Sequence, residues 1–219
     1  VRIIPIPFAS DNLAYAVFDE SNDSFVLVDP GDAAAVRCAL RLVSRTATVA
    51  AVLATHHHWD HSAGNASFRA LLNLGAFSAP RVDVFGSRVD FPVNGFVNAG
   101  WHRVNRHLED RETFQIGRLL FRALLAPCHT RGHLIYILEG VAPSDSPVKS
   151  FKPSVFTGDA FFVGGCGRFF EGSGNDMHTV VQKCIDAIPE EALMWPGHEY
   201  SFSNLKFAVT IEPGNSKLQ

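Results

Sequence analysis

Residues 55–61 read Thr-His-His-His-Trp-Asp-His, four histidines and one aspartate in seven positions. They follow directly on the apolar run Val52-Leu53-Ala54. Imidazole and carboxylate groups at that density suit a metal site and not a core. His56 and His58 are two apart, so at the end of an extended segment both rings fall on one side. Asp60 and His61 then carry donors round a turn toward a second position. A strand that ends this way calls for matching ligands from elsewhere in the chain. Three further segments that read as strand ends finish in His129, Asp159 and His198. Singly, these are a capped loop residue, a turn former after Gly158 and a helix cap. Together with the cluster they mark one edge of a layered fold, where active sites are built.

The remaining pattern supplies the layers. The 219 residues are 47% hydrophobic and 19% charged, enough for one sizeable core. Apolar alternation and continuous apolar runs predict strands over 2–7, 13–18, 24–28, 48–55, 81–85, 112–116, 119–125, 134–138, 154–157 and 192–195. Helical spacing predicts helices over 33–44, with Asp32 as N-cap, and over 65–74, 176–188 and 201–211. The stretch 87–111 has no period and contains Pro92, Gly95 and Gly100, so it reads as a long loop over a site. His102 and His107 within it fall outside any ligand spacing. Residues 140–152 read as a solvated loop. Gly164-Gly165-Cys166-Gly167-Arg168 reads as flexible backbone suited to close approach of a ligand. This order predicts two sheets with helices outside them.

Composition removes several functions. A net charge of −3 leaves no basic footprint for nucleic acid. No apolar stretch approaches a membrane span, and the start, Val1-Arg2-Ile3-Ile4-Pro5, lacks the pattern of a signal peptide. Opening on Val1 rather than Met reads as a trimmed or partial product. Cys38, Cys128, Cys166 and Cys184 have no CxxC spacing. They read as reduced, buried or half-buried packing thiols of an intracellular protein, cytoplasmic or mitochondrial.

The stretches THHHWDH, PCHTRGH, FTGDAFFVGGCGRFFEG and WPGHEY resemble the metallo-β-lactamase superfamily, and specifically its glyoxalase II (hydroxyacylglutathione hydrolase) family. The resemblance covers residues 3–215. It implies an α/β, four-layer αββα sandwich over residues 1–200, followed by a short, truncated C-terminal helical region over 201–219. It implies two divalent metal ions, Zn²⁺ first, with Fe and Mn also suited to these donors. His56, His58 and His129 would hold one, and Asp60, His61 and His198 the other. Asp159 would bridge them, with Asp60 and Asp159 as the catalytic carboxylates. His133, four residues after His129, is the rival ligand, and the resemblance makes it a support. His57 and Trp59 would point away, and Asp29 would have a structural or supporting role.

The implied reaction is hydrolysis of a thioester by a metal-bridging hydroxide, releasing glutathione and a 2-hydroxy acid. The implied substrate is S-D-lactoylglutathione or another S-2-hydroxyacylglutathione, contacted by Arg168 and Tyr200. Phe170 stands where the family usually has a tyrosine. The implied partner is thus a small-molecule glutathione thioester, with neither nucleic acid nor membrane. Two other readings share the fold. One is a mononuclear iron persulfide dioxygenase using His56, His129 and Asp159. The other is a diverged metal-binding relative with a non-catalytic interaction role.

Overall fold

The computed structural model describes residues 1–72, 82–92, 103–142 and 152–218. Strands β1 (Arg2–Phe8), β2 (Asn12–Asp19), β3 (Ser24–Val28), β4 (Thr48–Leu53), β5 (Asp83–Ser87) and β6 (Arg106–Leu108) form one sheet in that order. Its first three strands are antiparallel hairpins, and β3 to β6 run parallel. A second sheet has the order β13 (Leu193–Pro196), β10 (Ser154–Gly158), β9 (Leu134–Val141), β8 (Leu119–Leu125) and β7 (Thr113–Ile116).

Side-chain alternation gives the inner strands a different neighbour on each face. Along β2, Ala14, Ala16 and Phe18 join the cluster containing Val36 and Leu40 of α1 (Ala33–Val43) and Phe68 of α3 (Gly64–Leu72). Tyr15 and Val17, on the opposite face, join the layer between the sheets with Phe121, Tyr136 and Phe156. Along β9, Leu134, Tyr136 and Leu138 face that middle layer. Ile135 and Ile137 face Met177, Val180 and Cys184 of α4 (Gly174–Ala187). The result is the expected four-layer arrangement. Each fully buried large apolar side chain in it contributes about 1.5–3 kcal/mol. Helix starts follow local chemistry: the Asp32 carboxylate accepts from the Ala34 and Ala35 amides, and Ser173 and Asp176 form a capping box on α4.

Two hydroxyls tie the sheets together at the edge that matters. Tyr136 Oη donates to Ala54 O at 2.8 Å, and Tyr15 Oη donates to Pro196 O at 2.6 Å. These bonds fix the ends of β4 and β13, the segments that lead into the His56–His61 stretch and into His198.

Several expectations need correction. The stretch 87–111 is not a plain loop, because β6 pairs with β5 inside it and Asp90 is buried. Its His107 Nε2 lies 2.8 Å from Phe91 O, while Gly95, Gly100 and His102 lie outside the described residues. A short helix, α2 (Trp59–Ser62), precedes α3. Residues 161–166 form a two-stranded ribbon of β11 (Phe161–Phe162) and β12 (Gly165–Cys166), so the glycine segment is partly paired. Cys38 and Cys166 are exposed, and only Cys128 and Cys184 are buried. Helix α5 (Ser201–Ile211) forms as expected but buries no residue.

Candidate metal centre

The loops after β4, β8, β10 and β13 bring His56, His58, Asp60, His61, His129, Asp159 and His198 to one place. Close backbone contact shapes the first of them. A Cβ at Gly64 would lie 1.7 Å from Pro30 O, and one at Gly31 would lie 1.9 Å from Asp60 O. The loop 29–31 therefore presses directly on the start of α2 and α3, and only glycine fits there. Asp29 itself adopts φ 47°, a left-handed conformation that costs on the order of 1 kcal/mol or more for a non-glycine residue.

Hydrogen bonds decide which ring nitrogens face the centre. Asp29 Oδ1 accepts from the Thr55 amide at 2.7 Å, and its Oδ2 accepts from Thr55 Oγ1 at 2.6 Å. With its hydrogen so used, Thr55 Oγ1 can only accept from His56 Nδ1, 3.0 Å away. The His56 Nε2 lone pair is then turned inward. His129 Nδ1 lies 2.9 Å from the Arg168 carbonyl, an acceptor, so its Nε2 lone pair also faces inward. Both nitrogens lie 3.0 Å from His58 Nδ1. One proton cannot satisfy three such nitrogens, whereas one cation can.

The second group follows the same logic. His61 Nδ1 donates to Asp29 Oδ2 at 3.1 Å, and His198 Nδ1 donates to Asp11 Oδ1 at 2.7 Å. Their Nε2 atoms face each other at 3.2 Å, with Asp60 Oδ2 3.6 Å from both. Asp159 stands between the groups. Its Oδ1 is 3.3 Å from His61 Nε2, and its Oδ2 is 3.4 Å from both His129 Nε2 and His198 Nε2. Asp159 Oδ1 is buried without a hydrogen-bond partner. A Cβ at Gly197 would lie 2.5 Å from that oxygen. An orphaned carboxylate oxygen among converging imidazole lone pairs fits a pair of divalent cations.

His133, the rival, is differently employed. Its Nε2 accepts from the Asp159 amide at 3.1 Å, and its ring stacks on His56 with centroids 4.9 Å apart. It backs both residues, and no group of metal donors among the described residues includes it. Asp29, His56 and His61 also lie within reach of one ion. Both Asp29 oxygens are already taken by Thr55 and His61, so this trio is better suited to supporting the other two groups than to holding an ion itself.

Three supports carried no signal of their own in the sequence. Asp11, in the turn before β2, and Asn12, the first residue of β2, hold His198 Nδ1 at 2.7 Å and Asp60 Oδ2 at 3.0 Å. Asp90 pairs with His57 Nδ1 at 3.2 Å, so His57 is tied down and does not merely pack. The signal available was indirect: every ligating imidazole needs a partner on its other nitrogen, and buried turn carboxylates are the natural supply.

Charge follows this division. Burial, reinforced by the neighbouring imidazoles, pulls His56 well below the usual histidine range and His58 down to about 4. Burial also lowers His129. The first trio is therefore neutral and ready to ligate. Burial would also lower His61, but Asp159, Asp29 and Asp60 outweigh it and raise that ring to about 9. Burial would raise Asp159, yet His61, His198 and His129 hold it below the usual carboxylate range. In metal-free protein the His61 proton stabilises the fold below pH 6.5, and that contribution is lost as pH rises through about 9. A metal ion bound there would have to displace the same proton. Affinity at the Asp60–His61–His198 group is therefore expected to rise by up to about tenfold per pH unit between pH 6.5 and 9. Zinc titrations of metal-free protein across that range check this; a flat profile would contradict it.

Beside the centre lies a cleft of about 480 Å³ lined by His58, Asp159, Arg168, Phe170, Tyr200 and Asn204, among others. Tyr200 stacks flat on His198 with centroids 5.1 Å apart. Phe170 packs edge-on against His58 and His129, and the Arg168 guanidinium sits 5.1 Å from the Phe170 ring centre. Cys166 also lines this cleft, while the Cys128 thiol is buried and donates to Ser173 O. Trp59 is 70% exposed and is another of the residues that line this cleft. No described helix is long and apolar enough to cross a membrane.

Known proteins resemble this chain in sequence and in fold. The metallo-beta-lactamase superfamily model matches residues 10–142. The cytoplasmic hydroxyacylglutathione hydrolase of Arabidopsis thaliana is 34% identical over all of this chain and 76% of its own length. The hydroxyacylglutathione hydrolase of Dictyostelium discoideum is 33% identical over 98% of this chain and 72% of its own. The crystal structure of ETHE1 from Myxococcus xanthus superposes with a TM-score of 0.68 at 27% identity, covering 91% of this chain and 76% of that one. The chain belongs to the metallo-β-lactamase superfamily and, within it, to the hydroxyacylglutathione hydrolase family.

Proposed function

We propose that this protein hydrolyses S-D-lactoylglutathione, or another S-2-hydroxyacylglutathione, to glutathione and a 2-hydroxy acid. The observation that carries the reading is the pair of donor groups sharing Asp159, opening on a cleft lined by Arg168 and Tyr200. The names of the two relatives support the substrate class. His56, His58 and His129 would hold one divalent cation and Asp60, His61 and His198 a second, and the pair would supply a water acidic enough to attack at neutral pH and an electrophilic pull on the acyl oxygen. Zn²⁺ suits these donors best, and Fe or Mn is compatible with them.

The chain's own groups do the rest. Asn12 Nδ2 holds Asp60 Oδ2, which keeps the Asp60 carboxylate facing the centre as an acceptor for the attacking water's proton. The Phe170 ring closes one side of the His58–His129 pair against solvent. Arg168 offers a cation to the substrate's carboxylates, and Tyr200, stacked on His198, offers a hydroxyl at the cleft wall. Water adds to the acyl carbon, the C–S bond breaks, and the departing thiolate takes up a proton. No serine or cysteine nucleophile enters the scheme.

The direct test is thiol release from S-D-lactoylglutathione by protein carrying two metals per chain. Full metal loading without thiol release would overturn the assignment. Arg168→Ala is expected to raise KM about tenfold with kcat little changed, because the contact is the same in ground and transition states. Unchanged KM would remove Arg168 from the substrate site. The dioxygenase reading needs only His56, His129 and Asp159 and predicts one iron with oxygen uptake. The convergence of Asp60, His61 and His198 counts against it.

A further inference from the structure

We infer that Asp90 is a positioning residue that assembles the His56–His58–His129 group from two separate loops. The inference rests on the two-cation reading above. Asp90 follows β5, and its side chain is 1% exposed. Its Oδ2 accepts from the His57 amide at 3.1 Å and from Thr130 Oγ1 at 2.7 Å, with His57 Nδ1 at 3.2 Å. Its Oδ1 accepts from the Gly132 amide at 2.6 Å. The Ser87 hydroxyl in turn accepts from the Asp90 amide at 3.0 Å.

These partners are the chain neighbours of the ligands. His57 lies between His56 and His58, and Thr130 follows His129. The two loops are distant in sequence, since His58 and His129 are 71 positions apart. One carboxylate therefore clamps both. The fit is tight: a Cβ at Gly132 would lie 2.4 Å from Asp90 N and Oδ1. All four groups aimed at the carboxylate are donors, and only an acceptor-only side chain satisfies them. Hydrogen bonds from His57 and Thr130 outweigh burial and keep Asp90 ionised. Asn at this position would turn an NH₂ group toward at least one donor. Among the described residues the side-chain contacts of Asp90 run to His57, Thr130 and Gly132, beside the ligands of the first group, so its effect is expected there.

The test is calorimetric zinc titration of metal-free protein in two backgrounds. In His198→Ala, which leaves the first group intact, adding Asp90→Asn is expected to weaken binding about 10- to 100-fold. In His58→Ala, which leaves the second group intact, adding Asp90→Asn is expected to change binding less than about twofold, since its contacts lie beside the first group. A purely structural role predicts equal losses in both backgrounds, and that result, or no loss in either, overturns the inference. Should Asp90→Asn fail to fold, Thr130→Val removes one donor and must weaken the first group alone. Wild-type protein that binds a single zinc would sink the two-cation reading, while selective loss in the His198→Ala background would still uphold the role of Asp90.

Discussion

Asp159→Asn is expected to lower kcat for thioester hydrolysis by on the order of 10³-fold or more, beyond the 10–100-fold typical of residues that only support a ligand. The reason is its position: its oxygens lie 3.3–3.4 Å from inward-facing nitrogens of both groups. Asparagine has the same shape, and the backbone amide still donates to His133 Nε2. The fold is therefore kept, but the melting temperature of the metal-free protein is expected to fall near neutral pH, because the buried His61 proton loses its strongest charge partner. His61, freed from the Asp159 charge, should titrate well below its present value of about 9. Kinetics, melting and an NMR titration of the imidazoles check the three parts. A variant that keeps most of its activity but loses stability would favour a non-catalytic, metal-pinned protein.

Asp29→Asn has the second largest expected effect, although Asp29 touches no substrate. It is 2% exposed, in a left-handed conformation, and fixes the tautomers of two ligands. It acts on His61 directly and on His56 through Thr55 Oγ1. An amide group in its place must direct N–H bonds at the Thr55 amide or at His61 Nδ1. Zinc affinity is expected to fall about 10- to 100-fold at both groups. Stability is expected to fall by about 1–3 kcal/mol through the unsatisfied buried polar groups. Thr55→Val separates the two routes, since it cuts only the relay to His56. Equal zinc affinities in wild type and Asp29→Asn would refute the relay.

Much of this was legible in the sequence because periodicity and chemistry coincide. The run before His56 is apolar, so it had to be a buried strand, and the donors had to stand at its end. The same reasoning reached His129, Asp159 and His198. Strand β6 escaped because three residues, Arg106–Leu108, are too few to show a period. The supports escaped for a different reason. Asp11 and Asn12 read as turn formers, and Asp90 lay in a stretch without a period. Their partners are distant in sequence: 187 positions separate Asp11 from His198, and 33 separate Asp90 from His57. Only the folded topology brings such pairs together. His133 shows the same limit, since spacing alone makes it as good a ligand as His129. The choice is visible once the Asp159 amide occupies its Nε2.

Anomalous scattering from crystals grown with zinc tests the central claim most directly. The account predicts two peaks, one enclosed by His56, His58 and His129 and one by Asp60, His61 and His198, with Asp159 reaching both. A single peak at the first group, or one held by Asp29, His56 and His61, would contradict it.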